Sequence, residues 1–198
     1  MTRPILLLAL LAPLWACRSA PSKYYTLVAP PGDPPAAAAE LQIDVLPVDV
    51  PAGVDRAQIV VRRSGGEVTP VETRAWIAPL PLELRHALAD DLVHALGARD
   101  VTGLTPKPGL PVYRIKLAVA RFESELGKRA LVDATWTVRT ADSSGPPLTC
   151  TTRATERAAS GWSALAEAHQ RALAKIAAQI AAATRALATG SAAACPTD

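Results

Sequence analysis

The chain has 198 residues, 49% of them apolar and 20% charged, a balance that supports a globular core and excludes a disordered polypeptide. Its 21 basic and 18 acidic residues leave a net charge of +3, so no strong single-sign field exists to hold nucleic acid along a groove. Four Trp, three Tyr and one Phe are too few for a base-stacking platform, and no apolar run reaches the roughly 18 residues of a membrane-spanning helix, which argues against a polytopic membrane protein.

Met1-Thr2-Arg3 followed by the uncharged run from Pro4 to Leu14 has the short positive head and apolar stretch of a secretory signal. The run ends Leu14-Trp15-Ala16-Cys17, which resembles the lipobox of bacterial lipoproteins. Residues 1–16 are then a lipoprotein signal peptide, Cys17 is the first mature residue, and 17–23 form a lipidated tether. A thiol suits that position because thioether formation with a diacylglyceryl group needs a soft nucleophile. A further acyl chain, such as palmitate, on the freed amine makes the attachment durable at about 0.8 kcal/mol per buried methylene. Arg18 follows where an Asp would resemble an inner-membrane retention signal, which favours the periplasmic face of the outer membrane. Cys150 and Cys195 are the remaining thiols, and an even remainder in an oxidising compartment suggests one disulfide. Closing that loop would contribute about 4 kcal/mol on the chain-entropy model, with two unpaired thiols as the alternative. No metal-ligand spacing is present.

Tyr24 to Val28 reads as a first strand, ended by a proline-rich loop from Pro30 to Glu40. In Leu41 to Leu46, Leu41, Ile43 and Val45 share one face while Gln42 and Asp44 share the other, predicting a half-buried strand. Gln58 to Arg63 gives a third extended run, and Ser64-Gly65-Gly66 turns the chain into Glu67 to Val71. Leu80, Leu84, Leu88, Leu92 and Leu96 recur every four residues and predict a helix stopped by Gly97. On its opposite side His86, Asp90 and His94 have a spacing that suits a metal, although a solvated helix face carries the same residues.

Tyr113, Ile115, Leu117 and Val119 alternate with smaller or polar residues and predict a strand over Val112 to Phe122. Glu123 to Lys128 is expected to turn back into a strand from Ala130 to Thr140, and Ser143 to Pro147 into a third antiparallel strand from Leu148 to Glu156. From Ser160 or Gly161 to Ala188 an alternating four-and-three seam through Ala166, His169, Leu173, Ile176 and Ile180 predicts a second helix. His169 within that seam reads as a hydrogen-bonded core residue, and the alanine-rich flanks offer a surface for self-association into a homo-oligomer. The elements sum to an α+β fold, an antiparallel or mixed sheet backed by two long helices in a single domain over 24–190, with 191–198 as a tail.

No catalytic motif stands out. Ser160-Gly161-Trp162-Ser163 lacks the glycines of a nucleophile elbow, Ser64 to Glu67 lacks the Lys and length of a phosphate loop, and Asp90 and Asp91 diverge on their helix. The expectation is a protein that is not an enzyme and takes no cofactor.

The chain resembles the ABC-type transport auxiliary lipoproteins of Gram-negative bacteria, the PqiC-like membrane-integrity lipoproteins. The resemblance rests on the lipobox at Cys17, the run Lys23 to Leu27, the segment Val48 to Arg62 with its core Asp55-Arg56-Ala57-Gln58-Ile59-Val60, and Trp76 ahead of the leucine-rich helix. It implies a non-enzymatic auxiliary role in MCE-type intermembrane lipid transport, ABC-linked or PqiAB-like, that maintains the envelope. The partners implied are a periplasm-spanning MCE-domain protein and its inner-membrane partner. Asp55, Arg56, Gln58 and Trp76 become candidate partner contacts. Asp55 and Arg56 have the alternative of pairing with neighbours to fix their loop, and Trp76 that of plugging the core. A stand-alone periplasmic lipid-binding or structural envelope lipoprotein is the other reading.

Overall fold

The computed structural model describes residues 21–30, 39–142 and 145–196. In chain order its elements are β1 (Lys23–Tyr25), β2 (Gln42–Val45), β3 (Gln58–Arg62), β4 (Val68–Trp76), α1 (Leu80–Leu96), β5 (Arg99–Asp100), β6 (Val112–Glu125), β7 (Arg129–Thr140), β8 (Leu148–Arg157) and α2 (Trp162–Ala188). The strands form two sheets, one of three strands ordered β1-β4-β3 and one of five ordered β5-β2-β6-β7-β8. In the first, β1 is parallel to β4 and β3 antiparallel to it; in the second, β2 lies parallel to both β5 and β6, while β6, β7 and β8 form an antiparallel meander. Mixed sheets and two helices make this the α+β fold that the alternation and leucine spacing imply.

The strictest alternation in the sequence builds the centre. Ile115, Leu117 and Val119 of β6 stand opposite Val138, Trp136 and Ala134 of β7, all buried on one face. Trp136 is fully enclosed, and its indole N–H donates to Thr152 Oγ1 at 3.0 Å, so the largest core side chain leaves no polar atom unpaired. The opposite face carries hydroxyl pairs, Thr135 with Thr151 at 3.2 Å and Thr137 with Thr149 at 3.1 Å. At Ala120 the register slips between Val119 and Arg121. That bulge turns Phe122 and Ser124 inward and Arg121 and Glu123 to the other face.

Both helices cover the apolar face. In α1, Leu80, Leu84, Leu88 and Leu92 are buried, and Gly97 ends the helix in the left-handed region at φ 63°, where a side chain would be strained. In α2 the buried seam is Leu165, His169, Leu173, Ile176 and Ile180, with alanines between that let the helix lie close to α1, β7 and β8.

Several details depart from the sequence reading. β1 is shorter and begins at Lys23, β4 runs on through Trp76, and the two-residue β5 pairs with β2. Gln42, expected on a polar face, is buried because its amide accepts from Lys107 N at 2.7 Å and donates to Lys107 O at 3.0 Å, so the loop before β6 folds over it.

The N-terminal strand is fastened by one carboxylate. Glu83, in the first turn of α1 and only 2% exposed, accepts from the Thr26 hydroxyl and the Leu27 backbone N–H, each at 2.8 Å. Replacing it strands both donors, so Glu83→Ala is expected to lower unfolding free energy by about 1–3 kcal/mol. An unchanged urea midpoint, or unchanged exchange of the Leu27 amide, is the contrary result.

Candidate functional site

The segment that carries the family resemblance forms one wall of a pocket at the β6 bulge. After β2 the chain is held to β6 by Asp49, whose N–H donates to Leu117 O and whose carbonyl accepts from Val119 N. Pro51 O then accepts from the N–H groups of Val54 and Asp55 at 3.0 and 3.2 Å, closing a turn that leads into β3. Between this turn, β3 and the bulge lies a pocket of about 190 Å³, walled by Pro51, Val54, Val60 and Phe122 and flanked by Arg62 and Glu123.

Glu123 is the electrostatic centre of that wall. Its Oε1 accepts from Arg62 at 3.0 Å and from Arg121 at 2.6 Å, and Arg129 lies 3.6 Å from Oε2. Burial pushes this carboxyl up, but the hydrogen bond from Arg121 and the charges of Arg62 and Arg121 outweigh it and hold Glu123 below its ordinary value. In the sequence Glu123 reads as the start of a turn, whereas it lies within β6. The signal for this is the break in alternation at Ala120-Arg121, where two exposed positions follow one another.

Behind the bulge is a sealed cluster. His169 of α2 stacks on Phe122 at 4.0 Å and meets the edge of Trp76 at 6.0 Å, while its Nε2 lies 2.8 Å from Ser124 Oγ. A serine hydroxyl on an imidazole is a nucleophile–base pair in outline. Here the imidazole is fully buried and pushed down to about 3 by that burial. Its Nδ1 has no hydrogen-bond partner among the described residues, so no carboxylate orients it. Such a ring is a weak base, and the pair reads as a polar fastening of the core.

Of the predicted site residues, the β3–β4 pairing sets Trp76 beside the Asp55-to-Gln58 segment, its backbone N–H donating to Ala57 O at 2.8 Å. Asp55 and Arg56 are exposed on the turn before β3, Gln58 is half-buried at the start of β3, and Trp76 is 2% exposed, its ring spent on Phe122 and His169. Cys17 lies outside the described residues. Cys150 of β8 and Cys195 of the tail are joined by a disulfide, with Cα atoms 5.4 Å apart. On α1, His94 Nδ1 lies 2.9 Å from Asp90 O and 3.7 Å from Asp90 Oδ2, which spends the carboxylate on a neighbour. No group of three metal-ligating side chains converges among the described residues. Asp91 is raised to about 6, by burial first and then by the charge of Asp90, with His94 opposing.

A family model described as the ABC-type transport auxiliary lipoprotein component matches residues 25–181. No curated protein matches the chain. Among solved structures, that of an uncharacterized protein superposes with a TM-score of 0.64 at 16% identity, over 82% of this chain and 98% of the other. A protein from Xanthomonas campestris of family DUF330 superposes with a TM-score of 0.57 at 18% identity, over 85% and 96% respectively. At such identities these two establish a shared fold.

Two measurements test the cluster and the disulfide. The unfolded chain binds a proton on His169 below pH 6.5 that the folded chain refuses until about pH 3, so this residue's contribution to stability falls as the pH drops through that window. Asp91 has the opposite sign, its folded carboxyl keeping a proton between about 6 and 3.8 that the unfolded one has lost. Comparison with His169→Gln cancels Asp91: the stability of the native chain relative to the variant is expected to shrink from pH 7 to pH 5, and a constant difference would contradict a buried neutral imidazole. The disulfide spans a sequence separation of 45, so replacing both Cys150 and Cys195 by Ala is expected to cost up to about 4 kcal/mol in urea unfolding. Reductant should lower the native chain's midpoint and leave the variant's unmoved.

Proposed function

The chain belongs to the ABC-type transport auxiliary lipoprotein component family, and on that basis we propose that it is a non-enzymatic component of an MCE-type intermembrane lipid transport system, anchored through Cys17 at the periplasmic face of the outer membrane. Membership makes it a membrane-anchored lipoprotein and a transport auxiliary component. The lipidated residue, the membrane, the MCE-domain partner and the absence of catalysis belong to the proposal. The observation that carries it is the family match across residues 25–181, which takes in almost every element of both sheets and both helices.

The size of the pocket at the bulge favours a docking role over a stand-alone lipid binder. The apolar pocket at the bulge, about 190 Å³, is smaller than the roughly 300–1,000 Å³ of ligand cavities. Larger depressions of about 590 and 530 Å³ are bordered by charged side chains, Arg62, Arg63 and Glu67 in one and Arg157, Glu167 and Arg171 in the other. A further recess of about 370 Å³ beside the tail is lined by Ala178, Ala182, Ala183, Ala186, Ala194 and Pro196, an apolar surface of short side chains at the low end of ligand-cavity size. No helix among the described residues is long and apolar enough to cross a membrane.

The residues proposed to meet the partner are Asp55, Arg56 and Gln58, on the turn and strand start that the family segment builds. Trp76 supports them from within, as a core residue. The working domain is residues 24–190, with the tail tied back through Cys195. Recovery of the chain from detergent-solubilised envelopes is expected to bring an MCE-domain protein with it, and the charge reversal Asp55→Lys with Arg56→Glu to reduce that recovery by about tenfold. Cys17→Ser is expected to release the chain from the membrane fraction. Bound lipid recovered without any MCE-domain protein would favour the stand-alone reading.

A further inference from the structure

Large apolar side chains left exposed among the described residues are Tyr24, Val68, Ile77, Leu82, Leu104 and Leu126. Three of them lie in, or within a residue of a bond to, the stretch where the chain enters the domain. In the parallel pairing of β1 with β4, Tyr24 lies beside Ala75 and Tyr25 beside Trp76. The Ile77 N–H donates to Tyr25 O at 2.8 Å, and Glu83, next to Leu82, holds Thr26 and Leu27. Tyr24, Ile77 and Leu82 are therefore each within a residue of a bond to, or part of, the segment Tyr24–Leu27. They are 64%, 69% and 47% exposed. β4 carries Val68 to the far end of the same sheet, nine residues away or about 30 Å at roughly 3.3 Å per residue.

We propose that Tyr24, Ile77 and Leu82 bed into the phospholipid leaflet that holds the anchor, so that the domain rests on the membrane by this end. The inference rests on the reading of Cys17 as the lipidated residue. Cys17 precedes Lys23 by six positions, so even a fully extended tether spans only about 20 Å. This end of the fold is thus confined to the membrane surface, and contact with it becomes an intramolecular event at high effective concentration. A small patch suffices under that condition, although it would not recruit a free protein. The chemistry also suits an interface: Tyr24 offers an apolar ring with a polar tip for the headgroup level, Ile77 and Leu82 offer aliphatic surface, and the exposed Lys23 offers a cation to lipid phosphates.

The test uses the intact lipidated protein in phosphatidylethanolamine–phosphatidylglycerol vesicles, with an environment-sensitive fluorophore on Ile77→Cys or, as the far-end control, on Val68→Cys. Cys150 and Cys195 are bonded and do not compete for the label. With brominated phospholipids in the vesicles, the label at 77 is expected to be quenched at least about twofold more than the label at 68, and Tyr24→Asp with Leu82→Asp to abolish the difference. Equal quenching at both positions in protein that floats with the vesicles overturns the patch and leaves the anchor standing. Shielding of the label at 77 from aqueous iodide without quenching by brominated lipid also overturns it, because a second copy or a partner then covers the site. Failure of the protein to float overturns the Cys17 reading, and the patch with it.

Discussion

A single inserted residue sets the geometry on which the rest depends. Side chains along a strand alternate strictly, so after Val119 the next inward positions of β6 would be Arg121 and Glu123. The bulge at Ala120 shifts that parity and sends Phe122 and Ser124 inward instead. Phe122 then stacks on His169, and Ser124 reaches its Nε2. Trp76 arrives from the three-stranded sheet to close the cluster at ring-centroid distances of 6.0 Å to each neighbour. Both sheets and α2 thereby meet in one group of side chains. A phenylalanine in place of His169 would fill the space but leave Ser124 without its partner, which gives the buried imidazole its use.

The same shift disposes of the charges. Arg121 and Glu123 emerge on the other face of β6, where β3 passes close enough for Arg62 to join them. The polar side of one frame change therefore knits the two sheets, as the apolar side knits them through Trp76. What remains for function is peripheral: a turn presenting Asp55 and Arg56, an apolar entry end, and a sheet face of hydroxyl pairs.

Much of this was legible in the residues. The four-residue leucine repeat gave α1 to within a residue, because five leucines on one arc have no exposed alternative. The meander of β6, β7 and β8 followed from period-two alternation and from turns marked by Gly127 and the Ser-Gly-Pro run. Illegible were features decided by distant pairing. The parallel seating of β2 between β5 and β6 has no local signal, and neither does the separation of β1, β3 and β4 into their own sheet. Gln42 looked polar and outward because its partner, Lys107, is 65 residues away. Ser124 and Glu123 read as turn residues because the bulge that places them looks, in sequence, like the end of a strand. Of the candidate partner residues, the resemblance supplied the positions, while the fold decided that Trp76 is enclosed and Asp55 and Arg56 are open.

The grip of Glu83 on Thr26 and Leu27 has a mechanical meaning. With the anchor proposed at Cys17, a load on the N-terminal tether enters the domain at Lys23, the first residue of a strand that lies parallel to β4. Force along the axis of that strand shears the β1 hydrogen bonds together, whereas force across it would peel them one after another. Immediately behind them the load passes to a carboxylate on α1, whose leucines are locked into the core. Tension on the tether is thus shared between a short strand and the first turn of a helix rooted in the interior of the molecule.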